Sequence, residues 1–187
     1  MRNRFFSGSA ALLAFALLLP AVADAGMTID GKPKVSYFAT GSPGFMSIEG
    51  VSSTMTLVDD GTRLSFSVPM TTVDSGIPLR DEHQNEHYVQ IDKYPNVTID
   101  FAKADVAWPT EVGKSADVTV HGNFSVHGMT HPTDITANIT KTKTGFKVKG
   151  RFDFNVNAFA IVIEPYMGIS FDPKMYATVS LDLIDVP

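Results

Sequence analysis

Residues 146–154 read Phe-Lys-Val-Lys-Gly-Arg-Phe-Asp-Phe, and this stretch decides the fold. Phe146, Val148, Gly150, Phe152 and Phe154 fall at every second position, with Lys147, Lys149, Arg151 and Asp153 between them. A period of two is that of an extended chain whose side chains alternate between faces, so one register separates every apolar residue from every charged one. Upstream, residues 117–127 repeat the pattern: Val118, Val120, Gly122, Phe124 and Val126 share one face, and Thr119, His121, Asn123, Ser125 and His127 the other. Further strands are legible at 46–48, 55–57, 64–68, 97–101, 135–139 and 177–183, and one is expected around 158–163. Short turns such as Asp59-Asp60-Gly61 and Lys143-Thr144-Gly145 join them.

Strands with one apolar face and no helices to cover a second must close on themselves or pack as two sheets. Closure is favoured, which makes the fold class all-β: a single antiparallel barrel of about eight strands, the size at which the interior is either filled by side chains or left with room for one small ligand. Gly122 and Gly150 lie on inward faces, where they either remove side-chain volume and leave room in the lumen or mark bends and bulges in curved strands.

One segment breaks the strand rhythm. Residues 71–95, TTVDSGIPLRDEHQNEHYVQIDKYP, exceed what a hairpin needs. Pro78 suits a first helical position and Asp81 and Glu82 a first turn, so a short helix over 79–89 is expected, placed as a lid or plug over one barrel mouth. The same segment holds His83-Gln84-Asn85-Glu86-His87, the H-x-x-E-H form of inverted zinc peptidases. On a helix the two imidazoles would share a side and Glu86 could act as a base, giving a metal-dependent hydrolase. The alternatives are a non-catalytic metal site at His83 and His87, or polar positions solvating a short helix. An all-β chain offers no long helical domain to supply a third ligand, and no catalytic residue, metal or cofactor is expected.

Composition narrows the classes further. The chain has 187 residues, 44% hydrophobic and 19% charged, with a formal net charge of −5. No basic surplus exists to neutralise phosphates, so nucleic acid is not an expected partner. Cysteine is absent, which removes disulfides, thiolate metal sites and cysteine nucleophiles together. Arg2 and Arg4, the apolar run 10–20 and Ala23-Asp24-Ala25 have the form of a secretory signal over residues 1–25, too short in its apolar part to span a bilayer. Residues 26–187 would then be one exported domain, periplasmic or secreted from a bacterium.

Two blocks carry a resemblance. Leu79-Arg80-Asp81-Glu82-His83, followed by Lys93-Tyr94-Pro95 and a strand ending in Phe101, and Val120-His121-Gly122-Asn123-Phe124-Ser125-Val126-His127-Gly128-Met129-Thr130-His131-Pro132, similar to a "G-x-L-T-x-H-G-V-T-K-P" hairpin, resemble the YceI-like domain family in the expected order. The resemblance implies a lipocalin-like barrel whose apolar interior binds a long-chain amphiphile, an isoprenoid lipid or isoprenoid quinone. It implies storage or transport without a reaction, with transient membrane contact and homodimerisation as further partner expectations. His131 departs from the family's usual basic residue, and 159–171 from its commoner "D-F-G-I" version.

On this reading Phe66, Val68, Phe101, Phe124, Val126, Val148, Phe152 and Phe154 line the lumen, although for any single one of them a plain role as core is the stronger reading. Arg80 and His83 are the expected head-group contacts, since they sit on the lid and could meet a phosphate or a quinone oxygen. A ligand-free interaction or stress-protective module is the remaining alternative.

Overall fold

The computed structural model describes residues 26–42, 46–165 and 168–186. The segment with the form of an export signal lies outside them. Ten strands are present among the described residues: β1 (Gly26–Ser42), β2 (Met46–Ser52), β3 (Thr56–Asp59), β4 (Arg63–Pro69), β5 (Asn96–Ala102), β6 (Ser115–Val126), β7 (Met129–Lys141), β8 (Gly145–Asn155), β9 (Ser170–Phe171) and β10 (Lys174–Val186). They form one curled antiparallel sheet in the order β2-β1-β10-β8-β7-β6-β5-β4-β3, with β9 paired to β1.

The two ends of that order, β2 and β3, are successive in the chain. β2 pairs with β1 from Val35↔Ser52 to Gly41↔Met46, and β3 pairs with β4 from Thr56↔Ser67 to Asp59↔Leu64. One broken run therefore serves both flanks of the sheet and brings them together, as a lipocalin-like barrel requires. Two further contacts hold the seam. Met27 N–H donates to Asp59 Oδ2 at 2.8 Å, and Val51 and Asp74 exchange both backbone hydrogen bonds at 2.8 and 2.9 Å.

The alternation of 146–154 is realised as read: Phe146 and Gly150 are buried, Val148, Phe152 and Phe154 half-buried, and the charged residues between them exposed. Gly122 and Gly150 sit in unbroken register with both neighbouring strands, so they are not bulges. A β-carbon at Gly122 would stand 2.8 Å from the Asp100 carbonyl oxygen, and one at Gly150 3.0 Å from Val179 Cγ1. Their missing side chains permit close approach of neighbouring strands.

Three elements differ from the sequence reading. β1 is the longest strand, 17 residues, and was not anticipated. Its inward residues Val35, Tyr37 and Ala39 alternate with Ser36, Phe38 and Thr40, and outward Phe38 blurs the apolar–polar pattern. Phe38 stacks on Tyr176 of β10 at 4.6 Å between ring centroids, outside the barrel. Residues 158–163 are not a strand. Val156–Phe159 form a 3₁₀ turn that ends at Ala160, whose φ of 54° is left-handed. The carbonyls of Ala158 and Phe159 are taken by His131 Nε2 at 2.8 Å and His127 Nδ1 at 2.9 Å, so the β6–β7 hairpin holds this turn in place. Between β4 and β5, α1 (Pro78–His83) starts at Pro78 as expected and continues as a π-helical turn over Gln84–Val89, ending at Gln90 with φ 55°. Met70 N donates to Pro95 O at 2.9 Å and ties the ends of this insertion together.

Candidate ligand cavity

The interior divides into two packed clusters. One end gathers Leu64, Val106, Phe146, Leu181 and Leu183, with Trp108 tilted against Phe146 at 4.7 Å and its Nε1–H on Lys103 O at 3.1 Å. The other gathers Val73, Val89, Phe124, Phe159 and Ile161 beneath the helical segment. Between and through them runs a cavity of about 980 Å³. Its volume sits at the upper end of the range of small-molecule sites, roughly 300–1,000 Å³.

All eight residues expected in the lumen face this cavity. Phe66, Val68, Phe124 and Val126 are buried; Phe101, Val148, Phe152 and Phe154 are half-buried. An inward side chain on a curled sheet keeps accessible surface only where the interior is hollow. Phe124 anchors the aromatic wall, with Phe152, Phe154 and Phe159 at 4.9, 5.1 and 5.3 Å.

The charged, imidazole and amide side chains of the wall are Arg80, His83, Gln84, His87 and Glu164. The first four come from the helical segment and the last from the loop after β8, so the charged, imidazole and amide groups gather at one mouth. A helical spacing of three and four turns Arg80, His83, Gln84 and His87 toward the opening. Arg80 does less for a ligand than its charge suggested. Its Nε–H donates to Ser75 Oγ at 2.8 Å and a terminal N–H to Ser75 O, while Asp81 accepts from Ser75 N at 3.1 Å. Arg80 and Asp81 together fix the loop leading into α1.

Sequence reasoning missed the deepest polar contact of the mouth. Tyr37 of β1 projects inward across Gly50, where any side chain would collide with its ring, and its O–H donates to Gln84 Oε1. Burial pushes the Tyr37 phenol up to about 12, with Arg80 lowering it and Asp81 raising it by smaller amounts. Gln84 Nε2 is buried and has no hydrogen-bond partner. The signal that could have found the pair is Tyr37 alternating with Val35 and Ala39, three strands ahead of a segment whose apolar spacing is helical.

The H-x-x-E-H residues are placed without a metal geometry. His83 and His87 meet edge-on, ring centroids 5.3 Å apart, both at the mouth; no group of three or more His, Cys, Asp or Glu side chains suited to a metal occurs among the described residues. His131 points to Ala158 O and does not line the cavity.

A curled antiparallel sheet around one apolar cavity with a single polar mouth is a lipocalin-like binding fold. The chain belongs to the YceI-like domain family, whose model matches residues 27–183. Comparison with curated proteins finds no match. Among solved structures, the fold is similar to a polyisoprenoid binding domain from Saccharophagus degradans implicated in plant cell wall breakdown, with TM-score 0.72 and 10% identity over 87% of this chain and 99% of that one. It is also similar to BcnA from Burkholderia cenocepacia, with TM-score 0.63 and 12% identity over 81% and 95% of the two chains.

Proposed function

We propose that this protein binds a long-chain isoprenoid, or an amphiphile like it, with the chain in the lumen and the head at the mouth. The observation that carries the reading is the cavity itself: about 980 Å³ walled by apolar side chains, its charged and amide groups drawn from one end. Each methylene moved from water into such a site gains roughly 0.8 kcal/mol. Family membership and the polyisoprenoid binding domain of Saccharophagus degradans support the same ligand class.

Head-group contact falls to Tyr37, Gln84, His83 and His87 more than to Arg80, which Ser75 already holds. Gln84 Nε2 is a buried donor lacking an acceptor, a costly state that a turn of the amide toward a ligand oxygen in the cavity would relieve. An isoprenoid quinone carries such an oxygen. On this reading the lining residues bind and orient the lipid, and the role is carriage or storage in the periplasm or outside the cell.

The test is to purify the protein from its membrane-containing host, extract it with organic solvent and weigh the extract by mass spectrometry alongside metal analysis. A prenyl lipid near one-to-one stoichiometry is expected. Stoichiometric zinc with no lipid would overturn the reading in favour of a hydrolase using His83, Glu86 and His87.

A further inference from the structure

Seven large apolar side chains stand exposed among the described residues, and three of them border the cavity mouth. Ile77 and Leu79, 51% and 62% exposed, line the cavity themselves; Val162, 62% exposed, lies between Ile161 and Ile163, which also line it. The two segments belong to one end of the barrel, because Val89, Phe159 and Ile161 share a buried cluster against which Tyr88 and Ile163 pack. Around the opening, exposed apolar surface is thus continuous with the apolar wall inside.

We propose that this rim seats the mouth on a lipid bilayer, so that a lipid passes between membrane and lumen without crossing water. The proposal rests on the lipid-binding reading above. A bilayer is the occupant that continuity selects: a prenyl chain leaving the lumen meets apolar side chains first and then needs an apolar phase directly beyond them. The charges nearby specify the kind of surface. Asp74, Asp81, Glu82, Glu86, Asp92 and Glu164 outnumber Arg80 and Lys93 along the two segments, and Arg80 is bonded to Ser75. Attraction to anionic head groups needs clustered Lys and Arg. Docking here is driven by insertion of Ile77, Leu79 and Val162 into a zwitterionic or neutral surface and is indifferent to salt.

The experiment is co-sedimentation of the full domain with phosphatidylcholine vesicles, with and without added phosphatidylglycerol, at low and high salt. A triple variant, Ile77→Ser, Leu79→Ser and Val162→Ser, is compared with the double variant Val58→Ser and Val112→Ser, whose positions are 64% and 59% exposed but do not line the cavity. A fluorescent prenyl alcohol in vesicle-free buffer reports lumen integrity. The wild type should bind phosphatidylcholine vesicles, the triple variant should lose roughly tenfold in partitioning, and the double variant should match the wild type; Val162→Ser alone, which is off the cavity wall, should weaken vesicle partitioning while its prenyl-alcohol binding stays equal to that of the wild type. Equal loss in both variants, binding that grows with phosphatidylglycerol and fades with salt, or prenyl-alcohol binding without vesicle binding would each overturn the docking surface. The last result would leave lipid binding standing, whereas rim-dependent vesicle binding with no prenyl-alcohol binding would support the docking surface and overturn the lipid reading. Release of the prenyl alcohol to vesicles only when a second protein is added would also overturn it, in favour of a protein acceptor.

Discussion

The Asp59 carboxylate accepts the backbone N–H of Met27 at 2.8 Å, and Lys103 Nζ stands 2.9 Å from the same oxygen. This side chain, 2% exposed, ties the first strand to the third where no ladder joins them. Burial alone would push its carboxyl up; the Lys103 hydrogen bond, the N–H groups of Gly61 and Met27 and the Lys103 charge outweigh burial and hold it below the ordinary carboxylate value. A carboxyl depressed in the folded state adds stability above its unfolded pKa and loses it as pH falls through the folded one. Urea unfolding should therefore show stability declining in acid below about pH 4. In Asp59→Asn that decline should flatten, with about 1–3 kcal/mol lost at neutral pH as the charge-assisted hydrogen bonds from Lys103 and Met27 weaken.

Lumen and core positions should respond differently to truncation. Phe124 is buried and touches three other phenyl rings, so Phe124→Ala should cost about 3–5 kcal/mol. Phe152 faces the hollow and is half-buried, and Phe152→Ala should cost less in the lipid-free protein while weakening prenyl-lipid retention. Lys149→Ala, outward on the same strand, should stay within about 0.5 kcal/mol. Denaturant curves with and without lipid read all three; equal effects at 149 and 152 would refute the register.

Tyr37 gives an optical signature. Of five tyrosines, one should ionise late, near its value of about 12, in ultraviolet absorbance titration, and that phase should vanish in Tyr37→Phe. Since the folded phenol ionises above the unfolded one, its contribution to stability is intact below about pH 10 and fades as pH rises toward the folded value. Losing the hydroxyl should also free Gln84 to reorient and lower lipid affinity by about fivefold, the worth of one ordinary hydrogen bond.

Zinc should not find a home at the mouth. Two imidazoles four residues apart supply half of a tetrahedral set, and no third ligand stands with them among the described residues. Calorimetric titration should show no tight one-to-one site. The motif resemblance set His83 apart from His87, but both line the cavity, so each His→Ala variant should impair lipid retention modestly and alike.

What the sequence revealed depended on whether one face of a segment was pure. Strands 117–127 and 146–154 announced themselves because charge and apolarity never mixed across the register, and all eight lumen positions inferred from such strands do face the cavity. β1 escaped because Phe38 lies outside against Tyr176, and a bulge between Asp30 and Lys34 breaks its rhythm. Apolar run 158–163 looked like a strand until the left-handed Ala160 and two histidine hydrogen bonds made it a turn. Arg80 was legible as a mouth residue, yet its bond to Ser75 depends on a loop geometry that composition does not encode.

The wall has a consequence for the order of events after synthesis. β1 is flanked on one side by β2 and on the other by β10, so the first strand of the domain waits for the last. Until the thirteen residues of β10, Lys174–Val186, have emerged, the vessel lacks a stave and β1 and β8 face each other across a gap. Pairing between chain ends is slow because a long loop must close before any contact rewards it. A chain cut short before residue 174 would therefore leave the apolar interior open along the line between β1 and β8.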